Sequence, residues 1–151
     1  LTNGYVTLID LCSGRGGDIF KWEKAGIQKV FAYDNHKDSV DEAILRYKKV
    51  SKKIRTRIRF SVEDVSTIKL QQRTPIISCQ FALHYFDLDT LLEKVSNALV
   101  SGGYFIGVVP DGDTIDMVLD NKIKIENVEL ERAGPSSYYI KLVDNTDTNK
   151  T

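Results

Sequence analysis

The sequence predicts an α/β fold: a doubly wound, mostly parallel sheet with helices on its faces. Two observations carry this expectation. Short apolar runs rich in β-formers alternate with stretches of helical period, and glycine, proline or a capping residue marks the junctions. The residues that follow the runs are distinctive and polar, and an open α/β sheet binds its ligand at the carboxyl ends of its strands.

The first run, Tyr5–Leu11, closes on the glycine-rich stretch Cys12–Gly17. A helix is expected from about Asp18 to Ala25, stopped by Gly26. Lys29–Tyr33 reads as the second strand. Ser39 and Glu42 have capping-box spacing, and Val40, Ala43, Ile44 and Tyr47 fall on one helical face. Arg57–Val62 and Ile76–Cys79 are the third and fourth strands. Thr90 with Glu93 is a second capping box; it opens a helix carrying Leu91, Leu92, Val95, Ala98 and Leu99, ended by Gly102-Gly103. Tyr104–Val109 is the fifth strand, stopped by Pro110. Beyond it the pattern weakens: Ile123, Ile125, Val128 and Leu130 suggest a ribbon, followed by a strand at Tyr138–Val143, and residues 144–151 are polar and expected to fray.

A length of 151 residues with 42% apolar and 28% charged residues suits one domain, 1–151, with a ligand-binding core over 1–115 and a β-rich segment over 116–151. No run approaches the roughly 18 apolar residues a membrane helix needs, so no membrane partner is expected. The chain starts at Leu1 without a signal or transit segment and reads as a piece truncated at both ends. Two cysteines, Cys12 and Cys79, lack CxxC or Cys/His spacing; this argues against a disulfide framework and a metal site, and for a reducing compartment. The net charge is zero but uneven: residues 1–60 hold 13 Lys/Arg against 7 Asp/Glu, and residues 61–151 hold 8 against 14. Nucleic-acid contact must therefore be local.

The loop after the first strand, Asp10 to Asp18, is neither G-x-G-x-x-G nor a P-loop, so it offers no phosphate cradle. Asp34 lies 20 positions after Gly14 at the second strand exit, where a carboxylate can accept ribose hydroxyls. A ribose acid without a phosphate cradle favours S-adenosylmethionine over NAD. Asp10 and Asp64 add negative charge suited to its ammonium and sulfonium.

Two motifs then resemble the messenger-RNA cap guanine-N7 methyltransferases: Asp10-Leu-Cys-Ser-Gly-Arg-Gly-Gly-Asp18 with Lys21-Trp22, and Cys79-Gln-Phe-Ala-Leu-His-Tyr85. Asp34 with Arg46-Tyr47, Gly102-Gly103-Tyr-Phe-Ile106 and Pro110-Asp111 are similar to that family as well, over about residues 8–115. The resemblance implies the class I S-adenosylmethionine-dependent methyltransferase fold. It implies cofactor contacts at Cys12, Gly14, Asp34, Asp64, Gln80 and Tyr85, and contacts to the cap at Arg15, Lys21, Arg46 and His84. It implies 5′-capped RNA (a GpppN end) as substrate, S-adenosylhomocysteine as product, and fusion to or association with guanylyltransferase and triphosphatase domains. The Asp111-Gly112-Asp113 stretch is similar to capping enzymes of large DNA viruses. The implied location is intracellular: the nucleus for a cellular enzyme, a cytoplasmic virus factory or virion for a viral one.

Departures from the family matter. It usually reads Gly-Cys-Gly-Lys where this chain has Cys12-Ser13-Gly14-Arg15, so Cys12 adds a side chain that would crowd the cofactor, and Arg15 replaces a point charge with a planar fork. The family's cofactor-binding Lys precedes the first strand, and its cap-binding Glu and Tyr fall beyond Thr151.

No acid–base residue is expected to be catalytic, because guanine N7 carries a free lone pair at neutral pH. Trp22 and Phe81 read as core, and Cys79 as a buried thiol. The basic run from Lys48 to Arg59 reads as a solvated turn on the edge opposite the strand exits. Two other readings stand beside cap methylation: methyl transfer to another substrate, and a non-catalytic cofactor-binding module of a larger capping enzyme.

Overall fold

The computed structural model describes residues 6–126, 128–135 and 137–142. The chain divides into two compact units at Val109/Pro110. In the first, β1 (Thr7–Leu11), α1 (Ile19–Lys24), β2 (Lys29–Asp34), α2 (Lys37–Val50), β3 (Arg57–Val62), β4 (Thr74–Gln80), α3 (Leu88–Ala98) and β5 (Leu99–Val108) follow in order, with a single 3-10 turn at Leu83–Tyr85. The sheet order is β3-β2-β1-β4-β5, and every pairing is parallel. All five strands therefore end on one edge. The order reverses at β1, which lies between β2 and β4, so the loops after these three strands adjoin.

Side chains alternate between the two faces of the sheet. Leu8, Val30 and Ala32 pack with Ile19, Trp22 and Ile27. Ile9, Leu11, Phe31, Ile77 and Cys79 pack with Leu91, Val95 and Ala98 of α3. Burial on both faces is what a parallel sheet requires, and it explains the continuous apolar runs. Glu23 fastens the start of β3 to α1: its carboxylate accepts the backbone N–H of Arg55 (2.9 Å) and of Thr56 (2.8 Å).

Several boundaries differ from the sequence expectation. Strand β1 is described from Thr7; Tyr5 lies outside the described residues. The expected box at Ser39 and Glu42 is not what starts α2. His36 is the N-cap, its ring accepting from the Ser39 N–H at 3.4 Å, which frees the Glu42 carboxylate for other partners. Helix α3 starts earlier too, because Asp87 accepts the Thr90 N–H at 2.9 Å. Its end is earlier than the glycine pair: Leu99 is already extended, and Arg73 donates to the Leu99 carbonyl (2.6 Å from Nη2). Gly102 and Gly103 fall instead at an irregularity in β5, with Gly102 at φ +75. Phe81, expected in the core, is 65% exposed. It adopts φ +55 just past β4 while its N–H donates to the Val108 carbonyl, and this turn throws the ring out of the packed layer.

In the second unit, the segment expected to be β-rich opens with a helix, α4 (Gly112–Asp120), burying Ile115 and Val118 at i, i+3 spacing. A hairpin follows, β6 (Val128–Gly134) antiparallel to β7 (Ser137–Leu142). Ile123 precedes the hairpin as irregular chain, and Ile125 makes only an isolated bridge to Val128. Arg132 ties β6 to α4 through Asp116 (2.5 Å) and Asp120 (3.1 Å). The expected strand end at Val143 and the polar tail lie outside the described residues.

The three hydrogen bonds Glu23 accepts hold its carboxyl below the ordinary glutamate range, those from Thr56 contributing most. Its contribution to stability is therefore present above the unfolded glutamate pKa and is lost as pH falls through the lower folded value. Glu23→Gln should lower the urea midpoint at neutral pH, and the gap to the parent chain should close on acidification.

Candidate cofactor and substrate site

The site is built where the parallel strands end. After Leu11 the chain leaves the sheet centre through three left-handed residues, Cys12 (φ +68), Gly14 (φ +53) and Gly16 (φ +74). Gly16 makes the closest approach: a Cβ there would lie 3.0 Å from the Ala43 Cβ on α2, so only glycine lets the loop pass that close. The loop is fixed by its neighbour. Asp34, the last residue of β2, accepts the Gly14 N–H through Oδ2 (2.8 Å) and the His36 N–H through Oδ1 (2.9 Å). Ser13 adds a backbone bond to the Tyr33 carbonyl at 2.8 Å. Each Asp34 oxygen keeps a second lone pair for a hydroxyl donor.

Beneath the loop, Asp10 is 2% exposed and pairs in register with Ser78 of β4. Gln80 donates to the Ser78 hydroxyl at 3.0 Å, and Ser78, Asp10's register partner, draws the Asp10 pKa down. Oδ1 of Asp10 has no partner. Burial pushes the Asp10 pKa up to about 8, against the pull of the Ser78 bond and with a further push from Asp18. Cys12, expected to crowd the cofactor, packs its side chain against the α3-side core. The neighbouring Cys79 thiol, then burial, raises the Cys12 pKa and keeps this thiol protonated.

The remaining candidates surround this centre. Asp64, exposed beyond β3, caps its own loop by accepting the Ser66 N–H at 2.8 Å. Lys94 of α3 clamps that loop through the carbonyls of Val65 and Ser66, an anchor 28 residues away from Ser66 with no local sequence signal. His84 and Tyr85 follow β4 in the 3-10 turn, with ring centroids 4.1 Å apart and Tyr85 78% exposed. Glu42 joins two cations: Arg46 at 2.6 Å and Arg15 at 3.4 Å. The structure thus brings Arg15 and Arg46 together. Lys21 is tied instead to Asp18 (2.6 Å), and no ion pair or hydrogen bond among the described residues links it to Arg15 or Arg46. Sequence reading missed Ser78, Lys94 and the bridging role of Glu42; only Glu42 had a visible signal, its i, i+4 spacing to Arg46. Among the described residues no group of three or more His, Cys, Asp or Glu is placed to hold a metal ion, and no helix is long and apolar enough to cross a membrane.

The strand order, the glycine-rich loop after β1 and the acid at the end of β2 define the class I S-adenosylmethionine-dependent methyltransferase fold. A solved S-adenosylmethionine-dependent methyltransferase from Clostridium acetobutylicum superposes with a TM-score of 0.67 at 18% identity, covering 93% of this chain and 68% of that one. The chain belongs to the mRNA (guanine-N(7))-methyltransferase domain family, whose model matches residues 2–151. It is 29% identical to the mRNA cap guanine-N(7) methyltransferase of Drosophila melanogaster over 94% of its length, and 34% identical to that of Caenorhabditis elegans over 81%. It spans 37% and 39% of those two relatives.

Because Asp10 carries a raised pKa in the folded state, its proton stabilises the fold fully below the unfolded pKa, and that contribution is lost as pH rises through the folded value. Thermal melts should show the chain losing stability between about pH 5 and pH 8. Asp10→Asn should flatten that slope.

Proposed function

We propose that this chain transfers a methyl group from S-adenosylmethionine to N7 of the guanine cap of 5′-capped RNA. The observation that carries the reading is that the two family motifs, at 10–18 and 79–85, meet on one edge because β1 and β4 are neighbours. The residues present suit the cofactor. Asp34 has acceptor capacity left for ribose hydroxyls, and among the described residues no phosphate cradle is built. Cys12, Gly14, Asp34, Asp64, Gln80 and Tyr85 would hold it. When bound, it supplies an electrophilic methyl group.

The chain's own work is positioning and electrostatics. Guanine N7 needs no general base, so no residue has to take a proton. His84 and Tyr85 follow β4 with their rings 4.1 Å apart and tilted by 46°, so an exposed aromatic face is offered to a purine at the strand-exit edge. Arg15 and Arg46, held by Glu42, present planar guanidinium forks suited to phosphate oxygens, and Lys21 adds a point charge at the loop. Association with RNA triphosphatase and guanylyltransferase activities belongs to the same proposal, because those reactions generate the GpppN end consumed here.

Calorimetric titration of S-adenosylhomocysteine tests the cofactor half: binding is expected, and Asp34→Ala should weaken it at least tenfold, about 1.4 kcal/mol. Arg15→Ala and Lys21→Ala should weaken capped RNA more than the cofactor. Equal losses for both ligands, or equal methylation of capped RNA and of the same RNA already methylated at N7, would overturn the assignment.

A further inference from the structure

The seven Lys and Arg residues between 48 and 59 are interrupted by no acid, and all seven are exposed. Among the described residues none of them forms an ion pair, although Lys21, Lys37, Arg15, Arg46 and Arg132 all do. Among the described residues the one carboxylate that acts on the cluster is Glu23, beside Arg55, so most of its mutual repulsion is not offset by ion pairing. The helix dipole accounts for Lys48 and Lys49 in the last turn of α2. It does not account for Lys52 and Lys53, which lie past the helix end, or for the arginines on β3.

The course of α2 gives the cluster a direction. The helix starts beside Asp34, on the strand-exit edge, and ends at the turn that feeds β3 on the opposite edge. Its 14 residues span about 21 Å. Glu42, Arg46 and Lys49 follow at i, i+4 and i+7, one stripe of the helix surface. That stripe starts at the Arg15–Glu42–Arg46 group and runs into Lys52 and Lys53. A basic turn that looked isolated from the strand exits is joined to them by an exposed row of cations.

We infer that α2 is a phosphate track: the RNA chain leaving the cap runs along its exposed side, from Arg46 over Lys49 to Lys53. The inference rests on the capped-RNA reading above. Single-stranded RNA suits the stripe because phosphate contacts are independent of sequence and need only spaced cations.

The test compares three ligands: S-adenosylhomocysteine, the cap dinucleotide GpppG, and a capped oligoribonucleotide long enough to cover α2. The double variant Lys49→Gln/Lys53→Gln should bind the oligoribonucleotide several-fold more weakly. Its plot of log affinity against log salt should be shallower by about 1.4, the value for two lost contacts to a single strand. Its affinities for GpppG and S-adenosylhomocysteine should be unchanged. A control of equal charge, Lys122→Gln/Lys124→Gln, should match the parent chain. An unchanged slope in the double variant, an equal change in the control, or competition by polyglutamate as effective as by RNA of equal charge would each overturn the track. If the parent chain fails to bind GpppG while the oligoribonucleotide still responds to Lys49 and Lys53, the cap reading fails and the track stands.

Discussion

The carboxylate of Asp34 accepts two backbone N–H groups at once, one from the glycine-rich loop after β1 and one from the residue that caps α2. Three elements that are distant in sequence are thereby fixed to one atom pair. The loop cannot drift from the sheet, α2 starts at a defined point on the strand-exit edge, and the end of β2 stays beside the end of β1. The cluster of Arg15, Glu42 and Arg46 depends on this arrangement, because Arg15 rides on the loop and the other two ride on the helix. Gly16 supplies the complementary constraint by letting the loop pass against Ala43.

Charge is managed differently on the two sides of β1. Toward β4, the acid is buried: Asp10 has lost its solvent, keeps one oxygen unpartnered and lies beside Ser78. Burying a carboxyl costs stability unless it stays protonated or meets a cation. Toward α2, the guanidinium groups are exposed and screened by solvent, where ion pairs add little to stability. Their value lies in arranging guanidinium groups, which suits the recognition of anions.

Much of this was legible in the sequence, for physical reasons that differ by element. The strands and helices of residues 7–98 announce themselves because two-sided burial writes long apolar runs and helical burial writes a 3.6-residue period. The exits carrying Asp10, Asp34, Gln80 and His84–Tyr85 were readable because the topology forces ligands to that edge. The cap positions were less readable. Ser39–Glu42 and Thr90–Glu93 had the right spacing, yet His36 and Asp87 took the role, since any acceptor three residues before a free N–H can compete for it. Helix α4 was missed because its two buried positions, Ile115 and Val118, are too few to establish a period.

The sequence by itself determined the fold class and the edge on which the candidate strand-exit residues gather, because those depend on local pattern and on a topology that allows one answer. Only the tertiary structure decided which groups touch. It packed Cys12 against the α3-side core, put Phe81 outside the core and clamped the Asp64 loop with Lys94 from α3. It also laid α2 across the sheet so that one row of cations joins both edges. These outcomes depend on the direction of a side chain in space and on partners tens of residues away, and neither leaves a periodic mark on the chain.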